Sequence, residues 1–114
     1  MNANEYQRLA MSTATGNRSE PILDKLINGI LGLVGESGEV ADHVKKHVFQ
    51  YQDLSYGHLA EELGDVCWYI ALLADAIGYS FDDILRINLE KSKKRYPNGF
   101  DSERSRNRSM EDTK

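Results

Sequence analysis

Four acidic residues in this 114-residue chain stand at spacings that could do chemistry. Glu36 and Glu39 lie in "LVGESGEVAD", and Glu62 and Asp65 lie in "AEELGDVCWYI". Each pair is three residues apart, so on a helix turning about 100° per residue both members share a face. Projection puts Glu36 on the flank of an apolar arc and Glu39 about 60° further round. Glu62 falls inside the arc of its own segment, between Tyr69 and Leu73, with Asp65 at the edge and Glu61 turned outward. A carboxylate inside an apolar arc must be paired, protonated or metal-bound, because an isolated buried charge is very costly. No Arg or Lys lies one helical turn from Glu62, and Lys45 and Lys46 are about two turns past Glu39. Four such acids meeting without a cation would raise each other's pKa and could not all ionise. A hard divalent cation, Mg²⁺ or alternatively Mn²⁺, suits an all-oxygen set and is commonly shared with substrate phosphates. Zinc fits poorly, since Cys67 is alone and His43, His47 and His58 form no H-E-x-x-H set. A di-iron carboxylate site would want Glu-x-x-His pairs, which are missing.

The elements that carry these acids read as helices. β-Branched residues never alternate over a strand-length window, so the expected fold class is all-α. A first helix is expected over about residues 3 to 14, before the polar stretch "TGNRSE". Pro21 suits the first turn of a second helix, where its missing N–H is not needed. Apolar or small positions Leu26, Ile30, Leu33, Val34, Ser37, Ala41, Val44 and Val48 then predict one long helix to about Gln50. Gly29, Gly32, Gly35 and Gly38 interrupt it, each costing roughly 1 kcal/mol relative to Ala if exposed, which implies close approach of a neighbouring helix or a kink near Gly32. Ser37 and Gly38 are expected to be the small residues that admit the facing helix beside Glu36 and Glu39. Ser55 caps a third helix over about Tyr56 to Ile77, with the stripe Leu59, Leu63, Val66, Ile70, Leu73 and Ile77. Gly78 stops it, Ser80 caps a fourth helix with Asp82 and Asp83 in its first turn, and this runs to about Lys94. The expected organisation is one domain over residues 1–100 and a polar tail over 101–114.

Composition narrows the function classes. A net charge of −4 and a pI near 5.3 leave no basic face for nucleic acid or an anionic membrane. No apolar run approaches the ~18 residues of a membrane span, no secretory leader pattern opens the chain, and the single cysteine sits in an apolar helical run. A cytoplasmic protein is expected.

Three stretches, "NGILGLVGESGEVADHVKK", "LAEELGDVCWYIALLADAIG" and "NLEKSKKRYPNGF", resemble the MazG-like all-α nucleoside triphosphate pyrophosphohydrolases over roughly residues 5 to 100. The resemblance implies a four- to five-helix bundle that assembles as a homodimer or homotetramer, with sites near subunit contacts. It also implies Mg²⁺-dependent hydrolysis of nucleoside or deoxynucleoside triphosphates to monophosphate and pyrophosphate, in the service of nucleotide-pool sanitation. By position, Glu36, Glu39, Glu62 and Asp65 correspond to the metal-binding acids. In that reading Glu36 or Glu39 also orients the attacking water, and the sequence does not choose between them. Lys91 and Arg95, one turn apart on the fourth helix, suit phosphate oxygens, with Asn88 on the same face; a solvated basic helix end would look the same. Lys45 and Lys46 are weaker candidates. Trp68 projects opposite the main stripe of its helix, where it stacks on a base or fills a subunit interface, and Asn28 could read a base edge. The competing reading is a non-catalytic helical interaction or regulatory module that keeps the bundle; the presence of all four acids favours the enzyme.

Overall fold

A computed structural model describes residues 1–14 and 21–107; "TGNRSE" and residues 108–114 lie outside the described residues. Five helices are described: α1 Ala3–Met11, α2 Ile22–Gln50, α3 Tyr56–Ala76, α4 Phe81–Arg95 and α5 Ser102–Arg106. The fold class is all-α, as the apolar periodicity requires. α1 is shorter than its apolar pattern suggests. The side chain of Asn2 caps its start by accepting from the Glu5 N–H at 2.9 Å. At its end Thr13 turns its hydroxyl onto the Ala10 carbonyl at 2.7 Å.

α2 runs 29 residues without interruption, so the four glycines do not break it. It ends where Tyr51 adopts a left-handed φ of 56° and the Tyr51 N–H closes onto the Lys46 carbonyl. Ser55 caps α3 by accepting from the His58 N–H at 3.1 Å. After α3 the chain turns through Gly78 at φ 81°, which lets the Tyr79 N–H reach the Ala74 carbonyl at 2.9 Å.

The chain divides into two compact units, Met1–Phe81 and Asp82–Lys114. In the first, α3 packs against both α2 and α1. Its tightest contacts involve small residues: Ala71 and Ala74 of α3 and Ala10 of α1 are buried, alongside Phe81. Gln7 is buried among them and fully used. Its amide donates to the carbonyls of Ala71 at 3.3 Å and Tyr79 at 3.2 Å, while its Oε1 accepts from the Phe81 N–H at 3.0 Å. That one side chain ties α1 to the end of α3 and the turn beyond it, in a place where unpaired backbone groups would be costly.

The apolar pattern of α2 resolves into two faces rather than one stripe. Gly29 is buried and Leu26, Gly32, Leu33 and Val40 are half-buried, whereas Ile27, Ile30, Leu31 and Val34 are exposed on the opposite side, Leu31 by 67%. α3 likewise leaves Leu63 and Ile77 of its expected stripe exposed. Close approach of α3 occurs at Gly29 and Gly32, not at Ser37 and Gly38. A Cβ on Gly29 would stand 2.6 Å from Leu73 Cδ2, and one on Gly32 would overlap the Tyr69 ring, while one on Gly38 would meet nothing within 4 Å.

In the second unit α4 carries Asp82 and Asp83 in its first turn and Lys93, Lys94 and Arg95 in its last, the polarity the helix dipole favours. α5 lies within the segment expected to be a polar tail and is capped by Asp101, whose side chain accepts from the Glu103 N–H at 2.9 Å. From α5, Arg104 reaches back to the end of α4. Its Nε donates to the Arg95 carbonyl at 2.6 Å and a terminal nitrogen donates to the Lys94 carbonyl at 3.3 Å, satisfying two helix-end acceptors.

Candidate metal centre

The contacts between α2 and α3 run in antiparallel order. Gly29 meets Leu73 and Gly32 meets Tyr69, while further along α2 the ring of His43 lies 4.7 Å from that of His58. Between these contacts the acids converge: one carboxylate oxygen each from Glu36, Glu62 and Asp65 lies within 4.8 Å of the others. Glu36 and Glu62 are half-buried, and Asp65 is exposed. The glycine seam one turn before Glu36 therefore sets how near the two helices, and their carboxylates, come to each other.

Glu39 is outside this group. It is exposed on the flank of α2, yet its charge still acts on Glu36. Partial burial, then the charges of Asp65, Glu62 and Glu39, with a hydrogen bond shared with Glu62, push the Glu36 carboxyl above its ordinary value. All these influences act in one direction. The donor set is wholly oxygen, and that chemistry fits a hard divalent cation that would relieve the repulsion.

Several residues without a strong signal in the sequence stand beside the acids. His58 Nε2 lies 3.1 Å from Glu62 Oε1, and the Glu62 side chain is only 12% exposed. His43 Nε2 accepts from the Ser55 N–H at 3.2 Å. The His58–Glu62 spacing of four residues was visible in advance, but the facing of His43 and His58 depends on how two helices pair. Tyr6 of α1 is close enough to α3 that burial, then Cys67 and Asp65, push its hydroxyl up and keep it protonated. Its ring also packs edge-on to Phe81 with centroids 6.0 Å apart.

The remaining candidates are placed as follows. The Trp68 indole donates to the Thr13 hydroxyl at 3.1 Å and its ring packs edge-on to Tyr69 at 5.1 Å, so it joins the end of α1 to α3. Asn28 is exposed on α2. Lys45 and Lys46 both turn to Asp42, Lys46 at 2.8 Å, and that hydrogen bond holds the Asp42 carboxyl below its ordinary value. Asn88, Lys91 and Arg95 belong to α4 in the second unit. Asn88 and Lys91 are exposed, while Arg95 is half-buried, its buried Nε without a hydrogen-bond partner among the described residues.

Fold and site together define a class: an all-helical domain whose acid cluster, held between two antiparallel helices, suits a metal-dependent hydrolase. The chain belongs to the MazG family, since residues 25–100 match the MazG nucleotide pyrophosphohydrolase domain. It is also similar to the Gene 37 protein of Mycobacterium phage L5, at 33% identity over 105 residues, covering 87% of this chain and 92% of the phage protein. No solved structure matches. No helix among the described residues is long and apolar enough to cross a membrane.

Proposed function

We propose that this chain hydrolyses nucleoside or deoxynucleoside triphosphates to the monophosphate and pyrophosphate with Mg²⁺, and that it acts in the cytoplasm in nucleotide-pool sanitation. The observation that carries this reading is the convergence of Glu36, Glu62 and Asp65 to within 4.8 Å inside the segment that matches the family. Those three side chains, with Glu39 one turn along α2, would hold the cation, with Mn²⁺ as an alternative occupant. When bound, it supplies positive charge for the phosphate oxygens. Glu36 or Glu39 orients water for attack at the α-phosphorus and takes its proton. The water oxygen bonds to that phosphorus as its bond to the bridging oxygen breaks, giving the monophosphate, and pyrophosphate leaves with the bridging oxygen. Asn28 and Trp68 are assigned to the nucleoside.

The same reading includes a homodimer or homotetramer. Ile27, Ile30, Leu31 and Val34 form an exposed apolar face on α2 opposite Glu36, and among the described residues no large side chain is fully buried. A chain with so small a core gains stability by covering that face with a second copy. The test of activity is pyrophosphate release across a panel of ribo- and deoxynucleoside triphosphates with Mg²⁺. Glu36→Gln and Asp65→Asn should each lower turnover by roughly 10²-fold or more. Parent-like turnover in both variants would refute the site.

A further inference from the structure

We propose that His58 is a positioning residue for the acid cluster, holding the Glu62 carboxylate by one oxygen so that the other is presented to a divalent cation. The inference rests on Glu36, Glu62 and Asp65 being the cation's ligands. Glu62 is the most enclosed partner of its ion pair, with its side chain 12% exposed against 48% for His58. A carboxylate in that position has rotamers to lose and few waters to fix its plane. The Nε2 contact at 3.1 Å supplies the fixing donor, because a ring nitrogen facing a carboxylate oxygen carries the hydrogen.

His58 is itself held from two directions. Its backbone N–H is bonded to the Ser55 hydroxyl at 3.1 Å, which sets the first turn of α3. Its ring lies against that of His43 at 4.7 Å, tilted by 50°. His43 is fixed in turn, since its Nε2 accepts from the Ser55 N–H at 3.2 Å and so has its hydrogen on Nδ1 when neutral. One serine thus contacts both histidines, through its N–H to the His43 ring and its hydroxyl to the His58 backbone. A pair four residues apart on a helix, with one partner as open to solvent as His58, adds modestly to stability. With its backbone fixed by the Ser55 cap and the tilted His43 ring alongside, the His58 ring orients the group it touches, as outer partners of metal ligands do.

The test is calorimetric titration of Mn²⁺ into the parent chain, His58→Leu, His58→Gln and Glu62→Gln, with melting of each metal-free protein alongside. The expected result is a roughly 10- to 100-fold loss of Mn²⁺ affinity in His58→Leu with little change in metal-free melting. Affinity should largely return in His58→Gln, whose amide nitrogen can take the place of Nε2, and binding should be lost in Glu62→Gln. Parent-like affinity in His58→Leu, with binding lost in Glu62→Gln, overturns the role of His58 and leaves the metal centre standing. Equal weakness in His58→Gln and His58→Leu also overturns it, because packing rather than the donor would then be at work. Parent-like affinity in Glu62→Gln removes the metal centre itself, and this inference with it.

Discussion

Replacing Gly32 by Ala and, separately, Gly35 by Ala should move stability in opposite directions, although both glycines lie in α2 one turn or less from Glu36. Each substitution removes the helix-interior penalty of glycine, a gain of about 1 kcal/mol. At Gly35 the new methyl meets nothing within 4 Å, so the gain stands. At Gly32 it overlaps Tyr69 ring carbons, and that ring has Trp68 edge-on against it at 5.1 Å, so it cannot simply swing aside. Forcing a methyl into such a contact costs about 1–3 kcal/mol, and this cost is the expected gap between the two variants. Taken at about 2 kcal/mol, the gap is on the order of 8–16 °C in Tm for a domain of this size. The assay is thermal unfolding followed by circular dichroism at matched protein concentration, since an oligomer's melting depends on concentration. Gly32→Ala should also weaken Mn²⁺ binding, because spreading the seam separates Glu36 from Glu62 and Asp65. If Gly32→Ala stabilises as much as Gly35→Ala, the close approach of α2 and α3 is refuted, and the spacing argument for the acid cluster goes with it.

Other expectations follow from individual groups. Because the folded Glu36 carboxyl titrates above its unfolded value, the metal-free protein holds a proton that the unfolded chain has released. Its stability should be greatest below the ordinary glutamate pKa and decline as pH rises through the raised one; saturating Mg²⁺ or Glu36→Gln should flatten that decline in pH-dependent melting. Gln7→Leu strands the Phe81 N–H and two carbonyls, so urea unfolding should report a loss of about 1–3 kcal/mol or more. Ser55→Ala removes the α3 cap and should lower stability by about 1 kcal/mol in the same assay. Placing a charge on the exposed apolar face, as in Leu31→Glu, should shift the protein toward monomer in sedimentation, and an unchanged assembly would exclude that face as the contact.

What the sequence determined by itself was governed by local geometry, although the early end of α1 and the short helix α5 were not part of it. Helical periodicity marked α2 to within its observed end at Gln50, Ser55 was recognisable as a cap, and Gly78 as a stop. The three-residue spacing placed Glu36 with Glu39, and Glu62 with Asp65, on shared faces, because rotation per residue is a property of a single helix. The inward position of Glu62 was legible for the same reason.

Only the tertiary structure decided which acids meet. Interhelical distance and register belong to two helices at once, and no projection of one helix contains them. Glu39 was therefore indistinguishable from Glu36 until α3 was in place, and it then fell outside the group of three. The small residues that admit α3 proved to be Gly29 and Gly32 rather than Ser37 and Gly38, since closeness depends on what the opposite helix presents, here Leu73 and Tyr69. The facing of His43 and His58 is of the same kind: the residues are fifteen apart in the chain, and only the antiparallel return of α3 brings their rings together.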